Sequence, residues 1–328
     1  RQQLLDILRR HRIVVATVAS ISNRPELLEL KRFDRVLIDE ASQILEPLLA
    51  GLLPRFRRFV LIGDHKQLPA VVVQDRDRSE VEDAALRELG LTNLRNSLFE
   101  RLYKRAISAG WHWAYAQLSH QGRMHRDIMA FPSRHFYEDT LRILPEKLPI
   151  HRRQLEALQL KLEERHHLAG KLRRRVAFLP TPVDAASATR KTNRHEAELI
   201  AELIDLFRRH FQSAGHTFHA GRLGVITPYR AQIAHIRQVL EMRGHDPDAF
   251  TIDTVERYQG GARDVILISL CTNTIDQLTS LVSLSDDGVD RKLNVALTRA
   301  REHLVILGNP ELLRQNGIYA KLMRFCGV

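Results

Sequence analysis

The sequence predicts an α/β protein with parallel sheets, and three observations carry that prediction. β-favouring runs recur along the chain and stop at glycine, hydroxyl or carboxylate residues, as in Arg35-Val36-Leu37-Ile38-Asp39-Glu40 and Arg58-Phe59-Val60-Leu61-Ile62-Gly63-Asp64. Helical patterns separate these runs, and strands alternating with helices argue for a parallel sheet covered on both faces. The 328 residues suffice for two ordinary domains, each with its own core.

Composition narrows the function classes. Hydrophobic content of 44% and charged content of 27% exclude wholesale disorder. Lys+Arg of 50 against Asp+Glu of 39 leaves a formal charge of +11. That surplus favours a polyanionic partner, nucleic acid above all, with salt-sensitive binding; an arginine-rich surface reflecting genome composition is the plain alternative. Cys271 and Cys326 are too few for a disulfide framework or a zinc site and suit a reducing compartment, which with the arginine bias predicts a cytoplasmic location. No apolar run is long enough to span a bilayer and no signal-like segment opens the chain, so no membrane partner is expected. The chain opens on Arg1 already inside a helical pattern, which predicts a piece of a longer protein.

In chain order, residues 1–11 carry a turn or two of basic amphipathic helix. Arg12–Thr17 reads as a buried strand ending in Thr17, Ser20 and Ser22. Hydroxyls after a strand are ordinary loop chemistry, and equally able to donate to a nucleic-acid phosphate. Arg35–Ile38 reads as a buried parallel strand delivering Asp39 and Glu40 to its C-terminal edge, where open α/β sheets place ligands. The pair suits Mg²⁺-nucleotide chemistry, Asp39 holding the metal through its water shell and Glu40 polarising an attacking water. Taken alone it reads equally as a strand running into an acidic helix N-terminus. A helix is expected over about Leu45–Leu53, then a strand, Arg58–Ile62, ending in Gly63-Asp64-His65-Lys66-Gln67-Leu68-Pro69 on the edge where Asp39 lies. Gly63 lets the backbone turn sharply, and Gln67 offers an amide able to sense a terminal phosphate.

Residues 79–109 predict one or two surface helices, and the stretch from Leu118 to His125 a solvated loop around Arg123. Residues 140–175, broken by Pro145 and Pro149, read as a charged insertion with a helical run from Arg152 to Arg175. Four strands follow, at Val176–Leu179, Leu223–Thr227, Asp264–Leu270 and His303–Leu307. Helices are expected at about Arg194–Phe211, Tyr229–Arg243, Lys292–Arg301 and Pro310–Phe325. The economical division is one domain over 1–115 and a second over 116–328.

Six blocks stand in order: Asp39-Glu40-Ala41-Ser42-Gln43, Gly63–Pro69, Gln121-Gly122-Arg123-Met124-His125, Thr227-Pro228-Tyr229-Arg230-Ala231-Gln232, Thr254 to Gly260, and Leu293 to Arg301. With them the chain, from about Val14 to Pro310, resembles the superfamily 1 helicases of the branch containing the nonsense-mediated-decay helicase and the Okazaki-fragment nuclease-helicase. The resemblance implies two RecA-like P-loop NTPase domains with parallel sheets, the first lacking its N-terminal part. It implies an ATP-dependent helicase or translocase using ATP and Mg²⁺ on single-stranded DNA or RNA. Asp39 matches the magnesium carboxylate, Glu40 the water-activating carboxylate and Gln67 the γ-phosphate sensor. Arg123 and Arg299 match the arginines that reach the γ-phosphate, where charge neutralisation is worth roughly 10³–10⁵ in rate. Asp64, Gln121, Gln259 and Gly260 lie in blocks that serve the nucleotide side; Thr17, Thr227 and Thr254 lie in blocks near the nucleic-acid path. Tyr229 reads as a packing residue, with base stacking by an exposed aromatic there the lesser alternative.

Three departures from the family pattern matter. No Gly-x-x-x-x-Gly-Lys-Ser/Thr phosphate loop occurs in these residues; in the family it precedes the Asp-Glu strand, so the expectation is that this chain starts after it. The family's Gln-Tyr-Arg-Met reads Gln121-Gly122-Arg123-Met124, with Arg126 where proline is frequent, and its Gln-Gly-x-Glu reads Gln259-Gly260-Gly261-Ala262. Phosphate-handling side chains survive while base handling is relaxed. A non-hydrolysing nucleic-acid-binding pseudo-helicase is therefore the rival to a working motor.

Overall fold

The computed structural model describes all residues except 1, 2, 4, 5, 8, 9, 73, 76, 158, 159, 161–165, 188–190, 259, 260 and 286. The chain divides into two compact units, Arg1–Gln117 and Leu118–Val328.

The first unit is built on two parallel strands, β1 (Arg35–Ile38) and β2 (Arg58–Leu61), in the register Arg35↔Arg58 to Ile38↔Leu61. The ladder continues past the C-terminal ends of both strands, with Ile62 N–H on the Ile38 carbonyl at 2.8 Å and Ala41 N–H on the Ile62 carbonyl at 2.8 Å. Ile38 and Ala41 pack with Leu49 and Leu52 of the Glu46–Leu52 helix, Leu53, and Leu98 of the Leu98–Ser108 helix. Ser97 caps the latter helix, its Oγ accepting from Glu100 N–H at 3.2 Å. Arg101 holds the buried Glu46 carboxylate through its Nε at 2.8 Å, tying the two helices together.

Two expectations fail in this unit. Arg12–Thr17 is not a strand: the residues form no ladder, and Ile13 and Val15 are 83% and 92% exposed. A helix, Val18–Ser22, follows directly. An apolar run signals burial, yet a strand also needs a neighbour to pair with, and among the described residues none is supplied. β1 is likewise not buried on both faces, since Leu37 is 67% exposed. The helices cover the face carrying Ile38, and no described element packs over the other.

The second unit carries a five-stranded, all-parallel sheet whose strands begin, in spatial order, at Val176, Ala300, Arg263, Leu223 and Thr251. Its strands are β5 (Val176–Pro180), β6 (Leu223–Ile226), β7 (Thr251–Asp253), β8 (Arg263–Ser269) and β9 (Ala300–Gly308). A two-residue pair, β3 (His120–Gln121) with β4 (Arg142–Ile143), stands apart from it. The central strands are continuous apolar runs because helices cover both sides of such sheets. The 20-residue Arg194–Ser213 helix lays Ile200, Leu203, Ile204 and Phe207 on Leu223, Val225, Leu267 and Val305. Each such side chain contributes about 1.5–3 kcal/mol when fully buried. Gly224 leaves room for Tyr258, whose hydroxyl would lie 2.0 Å from a Cβ there and which donates to the Thr251 carbonyl at 2.6 Å.

Helix ends depart from the sequence reading for local reasons. The helix expected over Lys292–Arg301 is Arg291–Leu297, and Ala300 already pairs with Arg263 in the sheet. The expected Pro310–Phe325 helix is two, Pro310–Leu313 and Gly317–Cys326, because the Asn316 side chain caps the second at Ile318 N–H, 3.0 Å. The helical run expected over Arg152–Arg175 is instead two short helices, Pro149–Arg153 at its start and Ala169–Leu172 near its end, with residues 158, 159 and 161–165 between them outside the described residues.

Candidate active site

In the first unit, β1 and β2 end side by side, so Asp39 and Glu40 face the loop Gly63–Gln67. Glu40 adopts a left-handed conformation (φ 53°, ψ 34°), which costs a non-glycine residue stability and persists only where the surroundings over-determine it. Its N–H donates to Asp39 Oδ1 at 3.0 Å, and its carboxylate accepts from the Gln43 side-chain amide. Ser42 joins the two loops: its Oγ accepts from Asp64 N–H at 3.2 Å. A Cβ at position 63 would lie 2.8 Å from Ser42 N, so only glycine lets the loops meet this closely. Asp64 orders its own loop, Oδ1 accepting from Lys66 N–H at 2.9 Å and Oδ2 from the Gln67 amide at 2.8 Å. Asp39 and Glu40 remain exposed to solvent. Two adjacent exposed carboxylates with a side-chain amide presented from the next strand fit a hydrated hard cation and phosphate oxygens.

In the second unit the structure brings Arg123 and Arg299 to one place. The Gln121 side chain folds its loop, Oε1 accepting from Arg123 N–H at 2.9 Å and Met124 N–H at 2.7 Å. Fully buried Gln154 braces it from behind, donating to the carbonyls of Gln121 at 2.8 Å and Met124 at 2.9 Å and accepting from Leu144 N–H at 3.0 Å. His125 N–H then bonds the Arg301 carbonyl at 2.9 Å, and Arg123 Nη1 reaches the Thr298 carbonyl at 3.3 Å. His125 is neutral, burial and the Arg175 charge lowering it to about 4. Arg299 is 1% exposed, with Nε on the Val295 carbonyl at 3.1 Å and Nη1 on the Gly261 carbonyl at 3.4 Å. A delocalised guanidinium is the cation best suited to such a buried post. Gly122 packs on Leu144, whose Cδ1 would lie 2.9 Å from a Cβ; that methyl ends a flexible side chain, so a side chain there requires only Leu144 to turn.

Thr227 and Thr254 follow β6 and β7, whose register pairs Ile226 with Asp253, so they are neighbours at the sheet's C-terminal edge. Thr227 is fully buried and its hydroxyl has no hydrogen-bond partner among the described residues. Thr254 is half-buried, its N–H on Asp253 Oδ1 at 2.8 Å. Tyr229 is half-buried, as a packing residue would be. Thr17 caps the Val18–Ser22 helix, its hydroxyl accepting from Ser20 N–H at 3.1 Å. Gln259 and Gly260 lie outside the described residues. Sequence reasoning assigned no role to Ser42, Gln43 or Gln154. Ser42 and Gln43 sit inside a motif block, but only the fold shows which backbone groups they hold.

Two family models, each described as an AAA domain, match residues 94–311 and residues 1–75. The chain belongs to the AAA-domain family of superfamily 1 helicases. The DNA replication ATP-dependent helicase/nuclease DNA2 of Xenopus laevis is 33% identical over 90% of this chain and 26% of its own length. Helicase sen1 of Schizosaccharomyces pombe is 30% identical over 97% of this chain and 17% of its own. The DNA polymerase alpha-associated DNA helicase A of Saccharomyces cerevisiae is 30% identical, with 95% and 44% covered. The chain thus spans less than half the length of each of these relatives. This helicase-family chain has no helix among its described residues long and apolar enough to cross a membrane.

Proposed function

We propose that this chain is the catalytic body of an ATP-driven translocase acting on single-stranded DNA or RNA. The observation that carries the reading is the joined edge of β1 and β2, where Ser42 locks the Asp39-Glu40 turn to the loop bearing Gln67. Asp39 would hold Mg²⁺ through its water shell; the ion supplies charge neutralisation on the phosphates when bound. Glu40, steadied by Gln43, takes the proton of an attacking water. Gln67, oriented by Asp64, hydrogen-bonds a terminal phosphate oxygen. Arg123 and Arg299 place two guanidinium groups for the charge that develops during phosphoryl transfer. Thr227 and Thr254 stand side by side at the sheet's C-terminal edge, hydroxyl residues of the type that donate to a nucleic-acid phosphate.

The test is Glu40→Gln in the full-length protein, with steady-state turnover measured with and without a single-stranded oligonucleotide. Turnover should fall at least a hundredfold while nucleotide binding is retained. Turnover that survives the substitution removes Glu40 from the mechanism. Gly122 and Ala262 favour one second reading, a pseudo-helicase that binds single strands without hydrolysis. Strand binding by wild-type protein with no turnover at any nucleotide concentration is its signature.

A further inference from the structure

We propose that His166, His167 and Glu202 form a binding site for a divalent transition-metal ion of the zinc type. The two histidines are consecutive, and consecutive side chains ordinarily project apart. Here their rings stack, with centroids 5.0 Å apart and planes 16° from parallel, so both face the same carboxylate. His167 Nε2 lies 3.3 Å and His166 Nε2 3.7 Å from Glu202 Oε1, and ligand atoms of all three residues lie within 4.8 Å of one another. Those nitrogen–oxygen distances exceed the usual N–H···O range of about 2.7–3.2 Å. They approach the edge of a tetrahedron with metal–ligand bonds of about 2.0–2.1 Å, which is about 3.3 Å.

The backbone on both sides is fixed before any ion arrives. Leu168, directly after the pair, and Leu172 are buried in the core that also holds Leu203 and Ile204. Glu202 projects from the Arg194–Ser213 helix, flanked by buried Ala201 and Leu203. Preorganised ligands of this kind bind more tightly than ligands on free chain. Imidazole with carboxylate selects ions such as Zn²⁺ over Mg²⁺ or Ca²⁺, which prefer all-oxygen shells. Two cysteines are too few for a zinc site, but imidazoles and a carboxylate supply the donors instead. Three protein ligands leave a fourth position to water. One local contact opposes the site: His166 Nδ1 accepts from Leu168 N–H at 3.2 Å, and ligation through Nε2 moves the proton to Nδ1 and gives that bond up. The bound ion would clip the segment before the Ala169–Leu172 helix to the longest helix of the unit.

The test is titration of the whole chain with ZnCl₂, read by calorimetry and by thermal melting, beside His167→Ala and Glu202→Gln. Wild type should bind one more equivalent at micromolar concentration than either variant. Its melting temperature should rise by several degrees at roughly a hundredfold excess over Kd, by mass action. Co²⁺ should give visible absorption of a four- or five-coordinate ion in wild type and lose it in both variants. His167 is exposed and Glu202 half-buried, and the metal-free melts of the variants serve as folding controls. Equal stoichiometry and equal melting shifts in all three proteins would overturn the site, zinc then binding elsewhere among the 16 histidines and the trio being a histidine–carboxylate contact only.

Discussion

Glu196 carries a carboxyl group at full burial beside the C-terminal ends of β5 and β8. Ser269 Oγ donates to it at 2.6 Å, Cys271 N–H at 3.0 Å and Thr181 Oγ1 at 3.3 Å, yet burial outweighs these donors and pushes it up to about 7. A folded value above the ordinary 4.5 means that the native state binds the extra proton. Its contribution to stability is therefore full below pH 4.5 and is lost as pH rises through 7. Glu196→Gln keeps an acceptor for Ser269 and Cys271 and offers a donor to Thr181. The variant should be more stable than wild type at pH 8, by up to about 3 kcal/mol, with no gain at pH 4. Urea denaturation at both pH values measures this, and parallel pH profiles would remove the carboxyl from the account. Polar partnerships at this scale were the least legible from the sequence. Gln154 sits in a charged run with nothing to mark it as buried, because the two carbonyls it donates to come from residues 30 and 33 positions away.

At the scale of elements, Gly63 and Gly51 make a matched pair. Gly63→Ala drives a Cβ to 2.8 Å from a backbone nitrogen, which has no rotamer to yield, whereas a Cβ at Gly51 meets nothing within 4 Å. Gly63→Ala should destabilise the protein by about 1–3 kcal/mol, while Gly51→Ala, inside a helix, should stabilise it by about 0.5–1 kcal/mol. Thermal melts of the two variants check the contrast, and shifts of equal sign would sink the argument. Strands that lie in the middle of the second sheet were legible because each is a continuous apolar run bounded by polar residues. β7 was missed because Thr251-Ile252-Asp253 is too short to show a period, and β3 and β4 are shorter still. Arg12–Thr17 misled in the opposite direction: its pattern is that of a strand, but pairing is a property of the neighbour. The clustering of Arg123 with Arg299, 176 residues apart, was legible only through the family resemblance, since no local pattern connects them.

For the molecule as a whole, a formal charge of +11 predicts that binding to a single strand is driven largely by release of counterions. The logarithm of affinity should fall linearly with that of salt concentration, with a slope of roughly −2 to −4 if three to six phosphates are neutralised. Fluorescence anisotropy with a labelled oligonucleotide across a salt series gives the slope, and a value near zero would refute the electrostatic footing. In both units the proposed site residues Asp39, Thr227 and Thr254 directly follow the carboxyl ends of parallel strands β1, β6 and β7. Arg299 has one further property in this light. Only Thr298 and Arg299 separate the Arg291–Leu297 helix from β9, whose ladder runs to β5 on one side and β8 on the other. A load applied at the guanidinium has no slack loop in which to dissipate. It is borne by a strand paired on both sides, so in the proposed role a small displacement of a phosphate charge at Arg299 would pass directly into the sheet.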